Sequence, residues 1–347
     1  MKIRNMRVSD VVAAVCVPAT LVMYIHLLLV SPQLNPSDAH QEYTAAERSV
    51  VTTTTAVQEV GAPLNRTKEA REEVLLVTVL LRCGSTTIKN LLLSLSAVNK
   101  FTTILKPGRR TEMVHIPHTK MQRDIVMNIS AYESPTAVIQ PFAYINFTQF
   151  GKRKPIQISL VREPIERAVS WYYHMRAPFQ LVERHIRFPE TKLPSRKFLK
   201  KDLETCLNTP GDQECRYTPG KEILGHTVEF FCGHDPYCPI FGSREGLQQA
   251  KAVVEREFAV VGVLEDWNKT LTVLEHYVPR YFAHASSQYN KHIQGNKRKK
   301  NENFYKPKVD QAAKNFMLKH FTVESEFYDF IRQRLNQQYY AITGGAS

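Results

Sequence analysis

Two polar turns, some seventy-five residues apart, hold the residue types that could do chemistry in this chain. The first is Arg82-Cys83-Gly84-Ser85-Thr86-Thr87, which follows the apolar run 74–80. The second begins Arg162-Glu163-Pro164 after the strand-like segment 156–161, with Arg167 and Ser170 on the turns that follow. Each reads as a buried strand that breaks into a polar turn and then a helix. A helix N-terminus offers unpaired backbone N–H groups and the positive end of the helix dipole, which suits a bound phosphate. Two such turns, each with a cation and hydroxyls, predict a ligand carrying phosphates at both ends.

Neither turn is a Walker A loop, because Gly84 is followed directly by Ser85 rather than by the Gly-Lys-Ser/Thr ending of that motif. The first turn still has a glycine for close backbone approach, three successive hydroxyls and Arg82 as a cation; a plain helix N-cap would use the same hydroxyls. In the second turn Pro164 fits the first helical position, where its missing N–H is harmless. Arg167, Ser170 and His174 follow three-then-four spacing and share one helix face. Arg167 also has a plainer use, pairing with Glu163 on an exposed helix. Arg162 immediately follows a buried strand.

The elements that must hold these turns alternate between strand and helix. Strands are expected at 74–80, 137–139, 156–161 and 258–263. Helices are expected after the first turn and at about 164–176, 243–257, 265–277 and 323–338. That alternation predicts a single α/β domain around a parallel sheet, with the polar turns at the carboxyl ends of its strands. The domain is expected over 72–342. Residues 178–242, with their cysteines and little periodicity, read as an insertion lying on the sheet and an acceptor-binding region. Ahead of the domain, 31–71 is rich in Thr, Ala, Pro and Ser and reads as a flexible stem. Residues 11–30 carry no formal charge, about the length of a bilayer-spanning helix. Lys2, Arg4 and Arg7 precede that run, which predicts a cytoplasmic tail at 1–10 and a lumenal body. A cleaved signal peptide is the rival, but its apolar core is shorter and ends in a small-residue site.

Sequons at Asn65, Asn128, Asn146 and Asn268 agree with a lumenal body and are expected to be glycosylated. Cys206 with Cys215, and Cys232 with Cys238, are spaced for local disulfides in an oxidising compartment. A zinc site built from the same four thiols is the alternative, and no metal is expected. Cys16 and Cys83 are left as free thiols. The formal net charge of +13 suits nucleic acid, anionic lipid or anionic glycan. A lumenal body removes most nucleic-acid options and makes a sulfated or carboxylated polysaccharide the leading partner, beside an unspecialised basic surface. Homo-oligomerisation stays open.

Taken together, these residues resemble the lumenal uronosyl 2-O-sulfotransferases. The resemblance rests on Arg82-Cys83-Gly84-Ser85-Thr86, on the segment 160–167 with Ser170, on Phe230-Phe231-Cys232-Gly233-His234 with Cys238, on Tyr144-Ile145-Asn146-Phe147-Thr148 and on Glu326-Phe327-Tyr328. The segments around Tyr144 and Ser170 look most like the insect Pipe members. The resemblance implies a P-loop-like fold and a single-pass type II protein of the Golgi membrane. It implies transfer of a sulfuryl group from 3′-phosphoadenosine 5′-phosphosulfate to a sugar hydroxyl of an anionic glycan. The turn from Arg82 to Thr87 would hold the 5′-phosphosulfate, Arg162 and Ser170 the 3′-phosphate. Lys297-Arg298-Lys299-Lys300 falls where the family has a basic loop that closes over the donor.

The chain departs from the family pattern at two positions. The family usually has Lys where this chain has Arg82, and arginine does not readily donate a proton. Relatives also carry a histidine, the presumed base, where register through Tyr144 places Pro141. Ile139, Gln140, Phe142 and Ala143 around it accept no proton, which leaves His115, His118 and His174 as substitutes. Two function classes follow: an active 2-O-sulfotransferase with an altered base, or an inactive relative that binds donor, sulfated glycan or a partner sulfotransferase.

Overall fold

Five apolar segments pair into one sheet, and all of its neighbours run parallel. The computed structural model describes residues 64–105, 114–190, 192–209, 226–294 and 306–344. In chain order the strands are β1 (Arg71–Thr78), β2 (Thr102–Leu105), β3 (Thr136–Gln140), β4 (Pro155–Val161) and β5 (Phe258–Val263), arranged β2-β3-β1-β4-β5. Register is set on both sides of β1, with Leu75 opposite Ala137 of β3 and Ile156 of β4. Strands β3, β4 and β5 are buried at every residue, as parallel strands covered on both faces must be.

Alternating side chains divide the sheet between two apolar layers. Leu75 and Val77 of β1 face one layer, with Ile158 and Leu160 of β4 and helix α1 (Ser85–Val98). Val74 and Leu76 face the other, with Val138 of β3 and helix α2 (Thr119–Ser130). The chain leaves β1 toward β2, returns through β3, then crosses β1 to reach β4 and β5. The carboxyl ends of β1 and β4 are therefore the topological switch point, where open parallel sheets leave a crevice for ligands.

Helix α3 (Pro164–His174) follows β4. Next come α4 (Pro178–Arg187), α5 (Arg196–Lys200), α6 (Leu203–Asn208) and α7 (Val228–Cys232). Helices α8 (Arg244–Glu257), α9 (Trp267–Tyr277), α10 (Pro279–Phe282), α11 (Ala285–Gln288), α12 (Gln311–His320) and α13 (Thr322–Thr343) complete the described domain.

Three differences from the sequence expectation have physical causes. Strand β1 begins at Arg71 because Arg71 N–H bonds Lys154 O and its Nη1 bonds Ser130 O. Residues 64–70, expected in the stem, are also seated on the domain: the amides and guanidinium of Gln338 and Arg334 reach Leu64 O. The segment 226–233, expected in an overlying insertion, is core, with Phe231 buried beside Phe258 and Phe327 and Cys232 buried next to it.

Cys232 and Cys238 form a disulfide across a Cα–Cα distance of 5.5 Å, so those two thiols hold no zinc. Cys206 is disulfide-bonded, and Cys215 lies outside the described residues. Cys83 is a buried free thiol. The anchor expected at 11–30 also lies outside them, and no helix among the described residues is long and apolar enough to cross a membrane. Asn128, Asn146 and Asn268 are exposed, and Asn65 is half-buried.

Candidate functional site

The first turn leaves β1 through two residues with positive φ, Arg82 at 67° and Gly84 at 81°. At Gly84 the left-handed backbone favours glycine, and an added Cβ would lie 2.9 Å from Leu264 Cδ1. Helix α1 starts directly after it with no side-chain cap, and its first backbone bond runs from Ile88 N–H to Gly84 O at 3.0 Å. The amides of Ser85, Thr86 and Thr87 are thus not consumed by the helix, and they stand at its positive end.

The second turn is built differently. The Glu163 carboxylate accepts Ile165 N–H at 3.0 Å and Glu166 N–H at 2.6 Å, and Pro164 has no N–H to offer. The chain's own anion caps α3, so this turn has side chains rather than free backbone amides to offer an anion.

Those side chains reach across to the first turn. Arg82 Nε donates to Ser170 Oγ at 2.9 Å, and Arg82 Nη1 meets His174 Nδ1 at 3.3 Å. Arg162 Nη1 reaches Arg82 O at 3.5 Å. Among the described residues no carboxylate lies within ion-pair distance of Arg82, although the side chain is half-buried. Burial and the neighbouring Arg162 both push its pKa down. Arg162, by contrast, lies 3.6 Å from Glu166 Oε2 and 3.9 Å from Glu265 Oε1. Glu265 is itself fixed by Glu163 N–H and Tyr328 OH, each at 3.1 Å.

Several of these contributors have no local signature in the sequence. Glu166 binds Lys314 Nζ at 2.7 Å and lies 3.9 Å from Lys306 Nζ. Burial pushes the Lys306 ammonium down; Glu166 opposes this, while Arg162 and Arg82 add to it. Lys306 thus shares the field of both arginines. The only local hint is the four-residue spacing of Arg162 and Glu166. The basic run Lys297, Arg298, Lys299 and Lys300 lies outside the described residues.

Arg167 does not take the exposed pairing with Glu163. It is 5 % exposed, donates to Leu81 O and Thr227 Oγ1 at 3.1 Å each, and ties α3 to the first turn.

Pro141 follows β3, and Val79 N–H bonds Gln140 O at 2.9 Å, which places it beside the first turn. Of the substitute histidines, His174 lies at the site. Arg82 can only donate, so His174 Nδ1 is the acceptor and the ring proton sits on Nε2. Nδ1 is thus committed to Arg82, and the ring has no second lone pair to serve as a free base. His115 packs against His234 with ring centroids 5.2 Å apart, and Ala143 N–H bonds Val114 O next to it. His118 is exposed at the start of α2.

The family model described as Sulfotransferase family matches residues 66–331. The chain is 36% identical over 293 residues to the Drosophila melanogaster "Uronyl 2-sulfotransferase homolog pip", covering 81% of this chain and 56% of that protein. It thus spans little more than half of that protein's length. It is 30% identical over 264 residues to Heparan sulfate 2-O-sulfotransferase 1 of Xenopus laevis, covering 72% of this chain and 67% of the relative. For the Homo sapiens protein of the same name the figures are 29% over 277 residues, with 76% and 70% covered.

Two histidines set an acid limit on this region. Burial, helped by Arg82, pushes His174 down to about 4, and burial, helped by His115, does the same for His234. In the unfolded chain both titrate near the ordinary value of about 6.5. Between those values the unfolded chain binds protons that the folded domain does not. Stability is therefore full above about pH 6.5 and declines toward pH 4. Thermal unfolding is expected to shift to lower temperature across that window, and less steeply in the His174→Gln/His234→Gln variant. An unchanged slope in the variant would remove both histidines from the account.

Proposed function

The chain belongs to the sulfotransferase family, and from that premise we propose that it transfers a sulfuryl group from 3′-phosphoadenosine 5′-phosphosulfate to a uronic-acid 2-hydroxyl of a glycosaminoglycan or glycoprotein glycan. The observation that carries the reading is Arg82, a half-buried guanidinium without a carboxylate partner among the described residues, beside the uncapped start of α1. A charge withdrawn from water without a counter-ion calls for an anion. The amides of Ser85, Thr86 and Thr87 suit the 5′-phosphosulfate, while Arg162 and Ser170 suit the 3′-phosphate. Lys306, whose ammonium lies within the field of both arginines, adds further positive charge.

Sulfuryl transfer resembles phosphoryl transfer in needing alignment and charge stabilisation rather than protein covalency. The acceptor oxygen forms a bond to sulfur, and the bond between sulfur and the bridging phosphate oxygen breaks with its electron pair left on phosphate. A phosphate monoester has a second pKa of about 6, so the departing oxygen needs no proton at neutral pH. Arg82 can therefore stabilise the leaving group without donating to it. The acceptor hydroxyl must still lose its proton.

Pro141 favours a second reading: an inactive relative that binds donor, sulfated glycan or a partner sulfotransferase. Base catalysis typically contributes roughly 10²–10⁴-fold, and its loss need not unfold the domain. The same proposal places the domain in the Golgi lumen behind an anchor at 11–30. The uncharged run flanked by Lys2, Arg4 and Arg7, the four sequons and the Cys232–Cys238 disulfide support that placement.

Calorimetry on the full chain with adenosine 3′,5′-bisphosphate is expected to show binding. Arg82→Ala or Arg162→Ala should weaken it by about 10–100-fold, the usual range for a charged hydrogen bond; equal affinities would refute the donor site. Radiolabelled donor offered with a panel of uronic-acid polymers separates the two readings. Incorporation by the unaltered chain supports the enzyme, and incorporation only after Pro141→His supports the inactive relative. Protease treatment of sealed microsomes should leave the domain intact, and its digestion from the cytosolic side would overturn the lumenal placement.

A further inference from the structure

A half-buried arginine held in one orientation needs more than one acceptor. Lysine ends in a single nitrogen that one hydroxyl can hold. A guanidinium is a plane with five N–H donors, and fixing its orientation takes contacts at two nitrogens. In this chain the second contact comes from the helix that supplies the first. Ser170 Oγ accepts Arg82 Nε–H at 2.9 Å, and His174 Nδ1 lies 3.3 Å from Arg82 Nη1. Four residues separate the two acceptors, so they share one face of α3. The ring of His174 is seated between Trp171 and Phe179, with centroids at 6.0 and 5.7 Å.

Resting on the donor site above, we propose that His174 is a positioning residue for Arg82: with Ser170 it fixes the guanidinium plane so that Nη2, which has no partner among the described residues, is left to bind the donor's anionic oxygens. A fixed plane loses less freedom when an anion binds, and its fork matches tetrahedral oxyanions. The half-buried His174 ring, its pKa lowered by partial burial and by Arg82, stays neutral and so remains an acceptor. A protonated imidazole would have no lone pair to offer and would repel the arginine. Arg82 and His174 then act as one coupled pair. That coupling also removes His174 from acid–base duty, because its only lone pair is spent on Arg82.

The test is a double-mutant cycle on the full chain, read as affinity for adenosine 3′,5′-bisphosphate. His174→Phe is expected to lower affinity about tenfold, the size of one hydrogen bond to a charged group. His174→Gln, which keeps an acceptor, should retain most of it. In an Arg82→Lys background His174→Phe should change affinity less than about twofold, since lysine needs only Ser170. An equal loss in both backgrounds, or no loss in the arginine background, overturns the inference. Matching unfolding temperatures for His174→Phe and His174→Gln exclude a folding defect as the source of the difference.

Ring ¹⁵N resonances of His174 supply a readout that does not depend on nucleotide. A proton on Nε2 that responds to Arg82→Lys supports the contact, and a proton on Nδ1 overturns it even where nucleotide binds. If the chain binds no bisphosphate, the donor reading falls, while the ring resonances still decide the contact.

Discussion

Arg82 sits half-buried with a hydroxyl and an imidazole as its side-chain partners, and Arg162 as a like-charged neighbour. Withdrawing such a charge from water costs several kcal/mol unless an opposite charge compensates it. The surrounding structure accepts that cost and holds the group in place. Gly84 allows the backbone to turn, Arg167 ties the turn to α3 through Leu81 O, and Ser170 and His174 grip the side chain. Arg162 is treated in the opposite way, flanked by Glu166 and Glu265 so that its charge is partly balanced. One cation is left uncompensated and the other is steadied by carboxylates, which gives the site a directed demand for an anion at the first turn.

The sheet makes this arrangement possible. Only at the switch point between β1 and β4 do two strands deliver adjacent turns whose onward chains diverge and leave a crevice. Burial on both faces fixes the strands, so the turns they release are fixed as well. The two helices that start there differ in one decisive respect. Helix α1 has no side chain at its N-terminus, whereas Glu163 fills that of α3. Free backbone donors thus come from the first turn alone, whereas side-chain cations come from both.

Much of this was legible in the sequence because β5 and the second half of β1 are nearly continuous apolar runs, β4 interrupts its apolar residues only with Gln157 and Ser159, and the turns are marked by abrupt polarity. Strand β2 was not, since Thr102-Thr103-Ile104-Leu105 is short and half-exposed at the sheet edge. The second turn looked like a backbone cradle because glutamate is not among the favoured N-caps, yet Glu163 caps α3. Arg167 looked like a surface residue paired at four-residue spacing. Only the fold shows Leu81 O and Thr227 Oγ1 waiting for it. Lys306, Lys314 and Glu265 reach the site from far beyond it in the chain, a separation that no local pattern records.

The claim on which the rest depends is that the bare start of α1, and not the self-capped start of α3, receives the anionic ligand. Hydrogen exchange of the full chain with and without adenosine 3′,5′-bisphosphate reads this amide by amide. The account predicts that nucleotide slows exchange at Ser85, Thr86 and Thr87 and leaves Ile165 and Glu166 unchanged. Protection at Ile165 and Glu166, with none at Ser85, Thr86 and Thr87, would contradict it.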